Sequence, residues 1–255
     1  MDRSKRVVTP ERFARGMTFE EYVRYVATPA NLAREGSMGG ARRDWSGHLR
    51  ATFDASPLSR EQVDALKWLA AQPGGPAKVL VIAEEWSSDC RRDVPMLARM
   101  AEAAPFELRI FPRDGQKFSS SARPTLAEAP DSNADIMAEF LNDKNGRTWQ
   151  SIPVAVFYTR DLRYLYHYVE FPAIYHKDEL VSGIRAARAG ETPEQTRERG
   201  NRDFMALQNS PFFKIWACAG VDEMITALHE RLTDTGDLAV GLPSPPDARR
   251  VAGNP

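Results

Sequence analysis

Residues 78–85, KVLVIAEE, carry an unbroken apolar run from Val79 to Ala83. A strand with one wet face alternates apolar and polar side chains, so a continuous run calls for cover on both faces. A helix follows almost at once: from about Ser88 to Ala103, the residues Val94, Leu97, Ala98 and Ala101 fall on one side. FELRIF at 106–111 then alternates Phe, Leu and Ile with other residues and reads as a second strand. Strand, helix and strand in this order are the unit from which α/β sheets are built.

The segments around this unit extend it. Residues 112–135 are rich in Ser, Pro, Asp and Gly, and a stretch of that length is expected to be a lid, a binding loop or a disordered insertion. IMAEFLN then restores a short helix, SIPVAVFYT and LRYLYHYVEF read as two strands joined by a tight turn at Arg160 and Asp161, and KDELVSGIRAARAG supplies another helix. Upstream, Thr18 with Glu21 and Ser59 with Gln62 are capping-box pairs that each open a helix. Between them Trp45, Leu49 and Phe53 recur every fourth residue. Past Gly190, Thr192 with Pro193 and Gln195 caps one helix, and Phe212, Ile215, Trp216 and Val221 open an amphipathic second. The predicted organisation is a helical extension at 1–58, an α/β domain at 59–190, a second helical extension at 191–233 and a disordered tail at 234–255, too rich in Pro and polar residues to pack.

Composition removes several functions. With 34 Lys and Arg against 35 Asp and Glu, the net charge of −1 supplies no overall field for nucleic acid or an anionic membrane. No run approaches the roughly 20 apolar residues of a membrane span, and the first 16 residues offer only Val7 and Val8 where a signal peptide needs an apolar core. Two cysteines, Cys90 and Cys218, are too distant in sequence to read as a disulfide framework or metal cluster, and the four histidines show no ligand spacing. The expectation is a cytoplasmic protein with no metal, no cofactor, and neither nucleic acid nor membrane as partner.

The segment EEWSSDCRRDVPML, 84–97, joins the first strand to its helix. Trp86 precedes the turn, Cys90 sits in the first helical turn, Pro95 follows five residues later, and Ile152 with Pro153 opens a later strand. In these features, and in element order from Ser59 to Gly190, the chain resembles the thioredoxin superfamily. It is similar to a divergent bacterial branch with added N-terminal helices and an acidic residue, here Asp89, within the motif. The resemblance implies a thioredoxin-like fold, a mixed sheet flanked by helices in which a parallel half is followed by an antiparallel hairpin. It also implies a cis-proline at Pro153 facing the active-site turn.

One letter changes the implied chemistry. A CxxC site uses its first cysteine, at a helix N-terminus, as the attacking thiolate and its second to resolve the mixed disulfide. Here the motif is SxxC: Ser87 holds the first position and its hydroxyl forms no disulfide. The buried aspartate that family members carry on the first strand is matched by Val81. Cys90 retains a helix N-terminus, and Arg91 and Arg92 are expected to lower its pKa toward the reactive range of about 3.5 to 7.5, with Asp89 opposing them. Ser87-x-x-Cys90 also resembles the peroxidatic motif of peroxiredoxins, without the proline that opens it, because Ala83 stands there. Against these stands an inert thiol, shielded by the first turn.

Two functions from different classes follow. One is a groove formed by Trp86, Ser87, Asp89, Cys90, Arg91, Ile152 and Pro153 that binds a protein partner or small substrate, with the 112–135 loop as its cover. The other is a monothiol reductase or peroxidase using Cys90, assisted by Ser87, on a protein or small-thiol partner. Tyr164, Tyr166 and Tyr168 make an aromatic stripe for the C-terminal extension to cover, His167 reads as a satisfied half-buried residue, and Cys218 reads as a small core residue. The helical extensions offer a surface for a homodimer or a cover for the open sheet.

Overall fold

The computed structural model describes residues 7–144 and 146–237, and it begins with five short helices. These are α1 (Pro10–Ala14), α2 (Phe19–Val26), α3 (Pro29–Leu32), α4 (Ser46–Asp54) and α5 (Arg60–Ala70). Local chemistry sets their starts. Thr18 with Glu21, and Ser59 with Gln62, each form a complete reciprocal capping box, and Thr9 and Thr28 cap α1 and α3 ahead of a proline.

The central unit follows as β1 (Lys78–Ala83), α6 (Ser88–Ala103) and β2 (Glu107–Pro112). After the irregular stretch come α7 (Ala134–Met137), β3 (Asn142–Lys144), β4 (Arg147–Trp149), β5 (Val154–Tyr158), β6 (Tyr164–Val169) and α8 (Lys177–Arg185). Two longer helices close the described chain, α9 (Pro193–Gln208) and α10 (Pro211–Thr235). α10 runs two residues past the point where a tail is expected; residues 238–255 of that tail lie outside the described residues.

Four strands form one mixed sheet in the order β2-β1-β5-β6. β1 pairs parallel with β2, Val81 opposite Ile110, and antiparallel with β5, Val81 opposite Ala155. β5 and β6 make the antiparallel hairpin. The apolar run Val79–Ala83 therefore occupies a central strand, and all five residues are buried, as cover on both faces requires. This is the α/β thioredoxin-like arrangement.

Each face has its own cover. Tyr168 of β6 donates its hydroxyl to Asp93 of α6 at 3.1 Å, and Gly220 of α10 lies against the same ring. A Cβ at Gly220 would stand 3.2 Å from the Tyr168 hydroxyl, so the glycine lets α10 approach the strand. His167, adjacent in sequence and so on the opposite face, lies against Phe140 and bonds the Tyr164 hydroxyl at 2.7 Å. On that second side Arg12 of α1 pairs with Asp135 of α7 at 3.0 Å and lies over Phe111. Phe13, Tyr22, Leu49, Val221 and Leu228 belong to the same buried cluster as the sheet, so residues of both helical extensions are packed into one core.

Three expectations change. The β3–β4 hairpin is an element the sequence reading lacked, and it stands as a separate two-stranded sheet. α10 buries Ala217, Gly220, Val221, Met224, Leu228 and Leu232, whereas Phe212 and Ile215 point outward, 59% and 56% exposed. The buried stripe starts one turn later than the amphipathic reading placed it. Cys218, next to Ala217 on the helix, turns away from the stripe and is exposed, not a core residue.

Candidate functional site

Ser87 takes the place of the first cysteine as the N-cap of α6. Its extended backbone (φ −77, ψ 127) aims Oγ back at the helix, where it accepts the Cys90 N–H at 3.3 Å. The hydroxyl thus satisfies one of the orphan donors of the first turn, a structural task that a thiol performs poorly. Cys90 lies one turn inside, 1% exposed, within the apolar cluster. Burial pushes its thiol well above the ordinary range; bonding to the Glu84 backbone and to Ser87 offsets this only in part, and Asp89 and Glu84 push the same way as burial.

Burial overrides the expected activation by Arg91 and Arg92, and the two arginines have partners of their own. Arg92 forks onto Asp93 with two bonds of 2.6 Å, reaches Asp89 at 3.0 Å and donates to the Glu170 carbonyl at 3.0 Å. Asp89 in turn pairs with Lys177, which also holds Glu170 at 2.7 Å, while Lys144 takes the other Glu170 oxygen at 2.8 Å. Burial drives the Glu170 carboxyl up, but the two lysines outweigh it and leave it at about 2; Lys177, depressed by burial and raised more by Asp89 and Glu170, stands at about 12. Arg91 donates from Nη1 to the carbonyls of Glu85 and Trp86, at 2.9 and 2.8 Å, and lies 3.9 Å from the Trp45 ring centre. Arg92's charge is spent on carboxylates, whereas Arg91 meets only neutral carbonyls through Nη1 and its charge does not offset the burial of the thiol.

An open groove of about 410 Å³ lies outside this turn. Trp86, Ser87, Asp89, Arg91 and Ile152 all line it, together with Phe204, Met205 and Gln208 of α9. The Ile152–Pro153 peptide is cis, yet Pro153 itself is buried and does not line the groove; Cys90 does not line it either. Ile152, 5% exposed, lines it instead. Among the described residues its backbone N–H and C=O have no hydrogen-bonding partner, because the pairing of β5 with β1 begins at Val154.

The 112–135 segment is a fixed wall at its start. Arg113 forks onto Asp114 with two bonds of 2.9 Å and donates to the carbonyls of Gln150 and Ser119. Its guanidinium lies 5.1 Å from the ring centres of both Trp86 and Phe118, and Phe118 meets Trp86 edge-on at 5.6 Å.

Behind the wall is a charge cluster that the sequence reading missed. Glu84 and Glu85, each 1% exposed, directly follow β1. Arg42 donates through Nη1 to Glu84 at 2.6 Å and to both Glu85 oxygens at 2.8 Å; Arg34 reaches Glu84 at 2.8 Å and the Asp114 and Gly115 carbonyls at 2.6 and 2.9 Å. Two cations meet two anions, so the buried charges balance. The only local signal was the odd placement of Glu-Glu at the end of an apolar strand; its partners lie 42 to 50 residues away.

Among the described residues no helix is long and apolar enough to cross a membrane, and no three His, Cys, Asp or Glu side chains converge as metal ligands. No curated protein matches the chain in sequence. Two solved structures align over most of it. One is a protein of unknown function from Pseudomonas aeruginosa, 13% identical, covering 88% of this chain and 98% of its own, with TM-score 0.48. The other is an HIV epitope-scaffold, 14% identical, covering 88% and 96%, with TM-score 0.43. A thioredoxin family model matches residues 48–130, the segment that spans α5, β1, the Ser87–Cys90 turn, α6 and β2. With the sheet order above, that match supports a thioredoxin-superfamily assignment.

Proposed function

We propose that this thioredoxin-like protein is a binding protein and not a dithiol oxidoreductase, and that its groove beside Trp86 and the Ile152–Pro153 bond receives an extended segment of a protein partner or a small substrate. The observation that carries this is an open groove lined by Trp86 and by Ile152, whose backbone N–H and C=O have no partner among the described residues. An unpaired N–H and C=O beside an aromatic floor is what an extended peptide needs to add backbone hydrogen bonds and seat a side chain. The opposing wall, Phe204 and Met205 of α9, supplies apolar surface. Dithiol turnover has no support, since Ser87 caps the helix and Cys90 has no second thiol beside it among the described residues.

Use of Cys90 as a single reactive thiol has burial and an upward-shifted pKa against it. The test is a photo-crosslinking amino acid placed at Phe204, with a control at Arg60 on the far helix. Crosslinked products at Phe204 that vanish with Trp86→Ala and Ile152→Pro, the latter removing the N–H, support groove binding. Products unchanged by both substitutions, or identical to those from Arg60, contradict it.

A further inference from the structure

A second cavity, of about 650 Å³, lies between α4, α6 and the α9–α10 corner. Its size is within the range of about 300–1,000 Å³ usual for small-molecule sites. Trp45, Ala51, Met96, Phe213 and Ala217 give it apolar walls. Among the described residues the charged side chains that line it are all cationic, Arg91, Arg92 and Lys214, and no carboxylate does.

These cations differ in what they already hold. Arg92 is neutralised by Asp93 and Asp89. Lys214 is exposed and has no ion pair or hydrogen bond among the described residues. Arg91 is the unusual one: 9% exposed, it has among the described residues no carboxylate within ion-pairing distance, and only its Nη1 is engaged, by two carbonyls. Its Nε–H and Nη2–H, which lie side by side on one edge of the planar group, have no acceptor among the described residues, and neither nitrogen is sealed from solvent. That edge is the one that meets a carboxylate with two parallel bonds. A cation so far buried without a counter-charge is destabilising on its own, and an incoming anion would relieve it.

We propose that this cavity binds an apolar organic carboxylate, its carboxylate forked onto Arg91 within the reach of Lys214 and its body against the Trp45 and Phe213 walls. The site adjoins the Ile152 groove, and Ser88, Arg91, Met205 and Gln208 line both. Cys218 lines the cavity and is exposed, while Cys90 is buried, so alkylation of Cys218 reports occupancy directly.

The experiment uses decanoate and the neutral 1-decanol below their aggregation limits, with Cys218 alkylation by iodoacetamide followed by mass spectrometry. Decanoate is expected to slow alkylation saturably. Arg91→Met is expected to weaken that protection at least tenfold, Lys214→Glu severalfold, and decanol to protect no better than decanoate does in Arg91→Met. Lys214 is on the surface, so its variant and the decanol comparison decide the matter should Arg91→Met fail to fold. Equal protection by decanol, affinities within twofold in the charge variants that fold, or no protection by millimolar decanoate would each overturn the proposal.

Discussion

Replacing Arg42 by Met removes the cation shared by Glu84 and Glu85. Its side chain is fully buried, as are both carboxylates to within 1%, so water cannot take over its role. Arg34 still holds Glu84, and the Asp114 N–H reaches the same carboxylate at 2.7 Å. Among the described residues Glu85 keeps only the Asn31 amide at 3.2 Å. One buried carboxylate is thus left without a counter-charge, a change that destabilises by about 3–5 kcal/mol. Against a total stability of about 5–15 kcal/mol this is a large fraction, and at about 2 kcal/mol per molar urea it lowers the unfolding midpoint on the order of 2 M. Urea titration followed by circular dichroism reads it. Adding Glu85→Gln removes the stranded charge, so the double variant should be more stable than Arg42→Met alone. A loss below about 1 kcal/mol in the single variant, or simple additivity of the two changes, would refute the balanced-cluster argument.

Three further outcomes follow from the same geometry. Glu170 has a folded pKa of about 2 against an ordinary value of about 4.3, so its contribution is present above pH 4.3 and lost as pH falls through 2; roughly 2–3 kcal/mol should disappear across that window and Glu170→Gln should flatten it, whereas parallel acid curves would contradict the pairing with Lys177 and Lys144. Leu228→Ala, at a fully buried position of α10, should cost about 2–5 kcal/mol by thermal or urea unfolding; a loss under 1 kcal/mol would mean that α10 is not part of the core. Ser87→Cys restores a CxxC spacing, so under oxidation the thiol introduced at position 87 should become unreactive to a thiol reagent as a disulfide forms with the already shielded Cys90, while the reduced variant loses about 1 kcal/mol with the N-cap; a variant that never oxidises would place the two positions outside bonding geometry.

The sequence spoke clearly where the signal was local. Thr18 with Glu21, Ser59 with Gln62 and Thr192 with Gln195 each pair a cap with its third residue, and all three helices start there. The uninterrupted Val79–Ala83 run declared a central strand because burial on both faces leaves no other pattern. It was silent where partners are distant. Nothing near Arg34 or Arg42 says that these arginines leave solvent to meet Glu84 and Glu85. Arg91 and Arg92 looked like activators of Cys90 because they are adjacent in sequence, but on a helix adjacent residues point apart, and each found carbonyl or carboxylate partners elsewhere. Of the candidate site residues, Trp86, Ser87, Asp89, Arg91 and Ile152 do converge on one groove, while Cys90 and Pro153 lie behind its surface. The missed β3–β4 hairpin had a signal, the Asn-Gly pair at 145–146, where Gly146 adopts φ +71.

Alkylation of Cys90 across pH in a Cys218→Ala background tests most directly whether this domain has left thiol chemistry. An ordinary thiol with a pKa near 8.5 is about one-tenth thiolate at pH 7.5, and each unit of upward displacement removes a further factor of about ten. With burial added, iodoacetamide should modify the native chain at least about a thousandfold more slowly than the urea-unfolded chain at pH 7.5, with no plateau below pH 9. A native rate within tenfold of the unfolded one, or a titration midpoint below pH 7.5, would make Cys90 a working thiol and contradict a protein that only binds.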